Sequence, residues 1–427
     1  MNGIEVVGLL LLLLALSVPL SISMGIAGIS YIVFAGIPIS VVAQRMGNAV
    51  NSFPLLAVPI FIFAGCLLNT SGITTRIFEF AKLLMGSVRG GLAQVNVIAS
   101  LIFSGISGAA LADIGGLGQI EIKAMEEQGY KSEQAAAITA ASATIGPIFP
   151  PSIPLIIYGS AAEVSGVKLL IAGVIPGLLI TMLLMMQIGY FSVKYNFPAG
   201  SADGFDGKRL YRAFIRALPA LLSPVILVGG LLSGLFSPTE VAAVTVFYGF
   251  ILGKFIYREL SWTQLMDVGR QSVRQTANIM FIIASASIFA FALTVEQVHV
   301  QLTDLLLKIS ENPIVLLLIV NILLLAVGTI METIAAILVL TPLLVPALCR
   351  VGVDPIHLGI VMVLNLMIGL LTPPVGMSLY MVSIVSGSPM EKVIRALFPY
   401  FLPLMISLLA VTLIPTLSTW LPGLIYR

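Results

Sequence analysis

Charge is what this sequence has least of. Only 9% of its 427 residues are Asp, Glu, Lys or Arg, against about 25% in an ordinary soluble domain, so most of the chain offers water no polar surface. Cysteine and histidine are scarcer still, with two of each. Cys66 and Cys349 stand far apart in apolar surroundings without acidic or histidine company, which excludes a disulfide framework and a thiolate metal site. His299 and His357 give no metal or triad pattern and read as surface or packing residues. Neither a Ser/His pairing nor a twin-aspartate pattern is visible at membrane depth, so the chain is not expected to be an enzyme. The net charge of +2 comes from Lys and Arg scattered through short connections, which sets nucleic acid aside as a partner. A basic leader is missing as well: Glu5 is the only charge before Arg45, so "LLLLLLALSVPLSIS" reads as a first membrane helix rather than a signal peptide.

What is abundant is apolar surface. Hydrophobic residues make up 59% of the chain and the mean hydropathy is +1.10. A helix needs roughly 20 apolar residues to cross a bilayer, and the apolar blocks leave room for about eleven spans and no large soluble domain. The expected fold class is therefore an all-α integral membrane protein, multi-pass, with the lipid bilayer as its solvent. Lys194, Lys208, Arg209, Arg212 and Arg216 outnumber Asp203 and Asp206 between 191 and 216, which makes that connection cytoplasmic. Counting spans from this anchor puts both termini on the outer side. Two stretches, 73–88 and 261–274, have one apolar stripe opposite charged residues and are expected to lie as separate helices along the interface.

The helix breakers carry the organisation. "GPIFPP" at 146–151 and "GLLTPP" at 369–374 are related by an offset of 223, which also takes Gly105 to Gly328, Gly129 to Gly352 and Pro176 to Pro399. Six Gly or Pro positions agree without a gap, so the chain contains an internal repeat. With the topology above, the first copy begins inward and the second outward, and the repeat is inverted. Unwound backbone at membrane depth is tolerated only where protein buries it or it lines a polar cavity, and paired discontinuous helices are how secondary transporters build midplane sites. The segments 93–128 and 313–351 should each be a re-entrant hairpin. The expected architecture is then two hairpins and two broken helices. Residues 1–92, 165–312 and 388–427 would form a scaffold with two arm helices, and 93–164 with 313–387 a transport unit.

The strings "SGISGAALAD", "GPIFPPSIPLIIYG", "SGLFSPTEVAAV", "LTPLLVP" and "GLLTPPVG" resemble the large membrane (M) subunit of tripartite ATP-independent periplasmic (TRAP) transporters over essentially the whole chain. The resemblance implies an elevator-type secondary transporter of the bacterial inner membrane, driven by sodium. It implies a separate small membrane subunit and a periplasmic substrate-binding protein as partners. The substrate would be an organic acid: a sialic acid, a C4-dicarboxylate, or a sugar or keto acid. No cofactor is implied beyond sodium as the coupling ion. The alternative is a stand-alone sodium/carboxylate symporter that needs no binding protein.

Sodium is a hard cation and takes oxygen ligands, which a helix break supplies as freed carbonyls beside Ser and Thr hydroxyls. The resemblance and the repeat together place a first sodium site at Ser104, Ser107, Gly146, Phe149 and Pro151. They place a second at Gly328, Thr329, Gly369, Thr372 and Met377. The anion is expected between the hairpin turns and the breaks, at Ser107, Gly108, Ser152, Thr333 and Ser378, where helix N-termini direct positive dipole ends toward a carboxylate. Asp113 and Glu332 are costly carboxylates in apolar hairpins; each either tunes a site or caps backbone.

Overall fold

Proline, glycine and short polar caps decide where the helices of this chain begin and end. The structure, a computed structural model, describes residues 1–85, 89–198 and 207–426. The end of the stretch 73–88, from 86 on, and Asp203 and Asp206 lie outside the described residues. The fold is all-helical, 81% helix, with no strand among the described residues. Several helices start with a cap followed by proline at the first turn, where the missing N–H costs nothing. Asn312 precedes Pro313–Gly328, Asp354 precedes Pro355–Gly369, and Ser237 closes a capping box with Glu240 ahead of Pro238–Ile251.

Five helices are long and apolar enough to cross a membrane, and up to seven crossings result if each of two bent pairs counts as one. The longest, Trp262–Val295, has 34 residues and changes one expectation. Residues 261–274 do not form a separate interfacial helix but are the first turns of this continuous one, started by Ser261 and Gln264 in a capping box. The physical reason is that nothing breaks it: no proline falls between the amphipathic stretch and the apolar one. The position equivalent to Ile73–Met85 is occupied instead by Val298–Ile309, which is bent by 118° from Pro313–Gly328. At the N-terminus the run "LLLLLLALSVPLSIS" is not one helix but is split between Gly3–Ala15 and Leu20–Phe34, with Ser40–Val50 following. Pro19 and Pro38 lie in the gaps and cannot continue a helix.

The two copies of the repeat share their order of elements. Gly91–Ser107, the helical segments 110–127 and 132–145, Ile153–Ala161 and Gly166–Lys194 are matched by Pro313–Gly328, Thr333–Cys349, Pro355–Gly369, Met377–Ser386 and Met390–Leu413. Gly129 and Gly352 occupy the same left-handed turn, with φ of 94° and 88°, a conformation a Cβ disfavours. The Pro150–Pro151 and Pro373–Pro374 peptides are both cis.

The copies are packed by exchange. Ile153–Ala161, which follows the first break, lies against Thr333–Cys349 of the second hairpin, and Met377–Ser386, which follows the second break, lies against Ala110–Gly115 and Leu117–Glu127 of the first. One hydrogen bond also ties each helix that follows a break to the start of the other copy's broken helix. Tyr158 Oη donates to Pro355 O at 2.7 Å, and Ser132 Oγ donates to Ser386 O at 2.9 Å. Gly359 lets the Tyr158 ring approach: a Cβ there would sit 2.5 Å from the ring. We therefore expect Gly359→Val to destabilise the folded chain by about 1–3 kcal/mol through overpacking. Tyr158→Phe, which removes only the hydroxyl bond, should cost about 1 kcal/mol. Thermal unfolding of both variants in detergent checks the order.

Candidate functional site

Each break meets the turn of its own hairpin. In the first copy the helix beginning at Ser132 tightens to a 3-10 turn at Ala143–Ile145 and unwinds until Ser152 caps the next helix, accepting from Leu155 N at 3.1 Å. Ser152 Oγ also donates to Pro147 O. The hairpin turn is Gly108, with φ of 60°, and a Cβ on it would run into Pro151 O. Asp113, buried in the hairpin's second helix, lies over the break, its Oδ2 2.5 Å from where a Cβ of Gly146 would stand. Gly146 is needed here because that space is already taken.

The second copy repeats the contact with different residues. Gly328 and Gly369 pack backbone to backbone, such that a Cβ on Gly369 would lie 2.6 Å from Gly328 Cα. Gly376 N donates to Thr329 O at 3.3 Å, tying the turn to the break, and Ser378 N donates to Leu370 O at 3.2 Å across the break itself.

The accounting of backbone groups gives these junctions their chemical character. The N–H groups of Gly146, Ile148 and Phe149 bond back to Ala143 and Ile145, and the prolines have none to place. Among the described residues no hydrogen bond reaches the carbonyl oxygens of Gly146, Phe149, Pro150 or Pro151, nor those of Thr372, Pro373 or Pro374. A break of this kind presents oxygen lone pairs and few donors, which is the chemistry of a hard cation.

The remaining predicted residues are distributed as follows. Ser104 is buried and donates to Leu101 O at 2.6 Å; Thr329 and Thr372 donate to Ala326 O and Ile368 O at 2.8 and 2.9 Å. Each hydroxyl oxygen keeps its lone pairs for another partner. The side chain of Ser107 lies outside the described residues. Thr333 and Ser378 are buried at the starts of their helices, the first with its hydroxyl unpaired. Phe149 turns its ring onto Gly177, so its side chain belongs to packing and its carbonyl is what the break offers. Met377 stands 37% exposed. Glu332 is the N-cap of Thr333–Cys349 and accepts from Ala335 N at 3.2 Å, which gives its carboxylate a backbone role.

Two buried polar clusters were not foreseen. Ser142 Oγ donates to Asn96 Oδ1 at 2.6 Å, Asn96 Nδ2 to Thr139 Oγ1 at 2.7 Å, and Ser100 Oγ lies 2.9 Å from Ser142 Oγ. Across the repeat, Asn365 Nδ2 donates to Asn321 Oδ1 at 2.8 Å, and Asn321 Nδ2 to Thr412 Oγ1 at 2.9 Å. Ser142 and Asn365 are 223 apart, so both copies join the first hairpin helix to the broken helix through an asparagine.

This arrangement is the fold of a membrane transporter. It matches the YdaH transporter of Alcanivorax borkumensis with a TM-score of 0.67 at 16% identity, over 89% of this chain and 88% of that one. It also matches MtrF of Neisseria gonorrhoeae with a TM-score of 0.60 at 16% identity, over 88% and 83%. The chain belongs to the tripartite ATP-independent periplasmic transporter family as a DctM component, a family match that runs from residue 7 to 417. Among its relatives, the sialic acid TRAP transporter large permease protein SiaM of Vibrio cholerae is 43% identical over 90% of each chain. The C4-dicarboxylate TRAP transporter large permease protein DctM of Pseudomonas aeruginosa is 38% identical over 94% of each. The sialic acid TRAP transporter permease protein SiaT of Haemophilus influenzae is 39% identical over 97% of this chain and 67% of that protein.

The tight junction is testable through glycine. Gly369→Ala forces Gly328 away and should lower stability by about 1–3 kcal/mol. Gly47→Ala, in a helix with open space at that position, should be neutral or slightly stabilising. Unfolding midpoints of the two variants in one detergent give the comparison.

Proposed function

We propose that this chain is the large permease subunit of a sodium-driven TRAP transporter that imports an organic acid across the bacterial inner membrane by an elevator mechanism. The observation that carries the reading is the pair of hairpin-to-break junctions with unclaimed carbonyl oxygens, in a chain of the DctM family. Sodium binds at Ser104, Ser107, Gly146, Phe149 and Pro151, and at Gly328, Thr329, Gly369, Thr372 and Met377. Each set combines freed carbonyls with hydroxyl oxygens, while Met377 contributes at most its backbone. The anion lies at Ser107, Gly108, Ser152, Thr333 and Ser378. Bound sodium supplies the positive charge that no Lys or Arg provides there, so ion and anion bind cooperatively. Asp113 stands by the first site and contributes charge to it.

The moving unit in this reading is 93–164 with 313–387, the two segments re-entrant as hairpins at their turns. The short helices Gly166–Ala172 and Met390–Leu397, placed with the scaffold by the sequence, pack against that unit, and in this reading they move with it. The remaining helices form the scaffold, with both termini periplasmic and Ile73–Met85 and Val298–Ile309 as the arms. A small membrane subunit docks on the scaffold and a periplasmic binding protein delivers the substrate, as the names of the relatives imply for their systems. Those names also set the substrate class: sialic acid for SiaM and C4-dicarboxylate for DctM. No observation favours a stand-alone symporter.

Proteoliposomes carrying the chain with its small subunit test the whole reading. Uptake of labelled sialic acid or a C4-dicarboxylate should require both a sodium gradient and loaded binding protein; uptake by the chain alone would refute it. In the same assay Thr372→Val should raise the sodium concentration for half-maximal uptake by roughly tenfold, the effect of about 1.4 kcal/mol for one lost ligand oxygen. Membrane insertion should be unchanged.

A further inference from the structure

Away from both junctions, a cavity of about 450 Å³ opens at the end of the fold where Lys131 begins the first broken helix. Three elements form it: residues 131–134, the last turns of Val174–Lys194 with the following Phe197, and the amphipathic helix Met390–Leu397 running into Pro399 and Tyr400. Three of its lining residues are cations, Lys131, Lys392 and Arg395, and one is a carboxylate, Glu133. None of the three cations makes an ion pair with a described residue, although Arg76 and Arg270 elsewhere do. Unpaired cations gathered from two separate elements repel one another and lower stability unless an anion joins them.

The wall of the cavity is aromatic. Phe191 meets Tyr195 and Tyr400 edge to face, with ring centroids 5.3 and 5.8 Å apart, and Phe197 meets Tyr130 at 5.4 Å. Tyr and Phe beside Lys and Arg are the composition of the headgroup level of a bilayer. Below this level two helices that pack together leave apolar faces uncovered. Met182, Met186, Tyr190 and Val193 lie along one and are 48–75% exposed; Leu402, Ile406, Leu409 and Leu413 lie along the other and are 41–64% exposed.

We infer that this cavity binds the phosphate headgroup of an anionic phospholipid, whose acyl chains lie along those two apolar faces. Lys131, Lys392 and Arg395 hold the phosphate, Arg395 through its planar fork, and Tyr195 and Tyr400 flank the glycerol region. A zwitterionic lipid brings a cation of its own into a pocket that already has three, so the site selects by net charge. Under the elevator reading above, the headgroup touches both the moving unit, at 131–134 and 392–396, and the scaffold, at 191–197. The binding itself does not depend on that reading.

The test is native mass spectrometry of the purified full chain in detergent, titrated with phosphatidylglycerol, phosphatidylcholine and, as a soluble phosphate, glycerol 3-phosphate. Phosphatidylglycerol should bind saturably and at least about tenfold more tightly than phosphatidylcholine. Lys392→Glu with Arg395→Glu should remove that preference. Arg270→Glu with Arg274→Glu, the same change of charge outside the cavity, should keep it and serves as the control for folding. Equal binding of the two lipids, or a preference that survives in the cavity variant, would overturn the proposal. Glycerol 3-phosphate binding as tightly as the lipid would overturn the lipid and assign the cavity to a soluble phosphate. Transport activity enters none of these readouts, so a failure here is separate from a failure of the transporter reading.

Discussion

A peptide group that leaves its helix inside an apolar protein must find a partner or carry an unmet polar atom, and the whole molecule is arranged around two places where this happens. Prolines at 150, 151, 373 and 374 remove donors from the breaks, and short back-bonds to the preceding turn take up most of those that remain. What is left over is acceptors. Orphaned carbonyls buried without a partner cost free energy, and a cation is the partner that satisfies several of them at once. On this account the ion completes the backbone of the breaks, with the Asp113 carboxylate beside the first of them.

Holding such a break in position takes glycine and buried hydrogen bonds. Gly146 makes room for Asp113, Gly328 and Gly369 make room for each other, and Asn96 with Ser142, like Asn321 with Asn365, fixes each hairpin to its broken helix. The exchange of helices between copies adds a second constraint. Because Ile153–Ala161 packs on the second hairpin and Met377–Ser386 on the first, neither half can shift its break without moving the other half's hairpin. The two hairpins and the two breaks are therefore packed as one body.

Much of this was legible in the amino-acid sequence. Scarce charge and long apolar blocks require a membrane, and Gly and Pro recurring at a fixed offset mark the breaks because those residues act on the backbone whatever surrounds them. Tertiary choices were less legible. The stripe at 261–274 has the same pattern whether its helix lies flat on the membrane or continues a span, and the absence of a breaker after it turned out to decide. Glu332 could be a cap or a tuning charge, since both roles need a carboxylate at that position. The contacts of Asn96 with Ser142 and of Asn321 with Asn365 were hidden because a lone polar residue in an apolar helix shows no periodicity, and only its partner on another helix explains it.

The central claim, that sodium completes the backbone at the two junctions, is tested most directly by hydrogen–deuterium exchange of the purified chain in sodium against choline at equal ionic strength. The account predicts slower exchange in sodium for amides at 143–149 and 369–378 and for the hairpin turns facing them, with the scaffold helices unchanged. Equal exchange at both breaks in the two salts would contradict it.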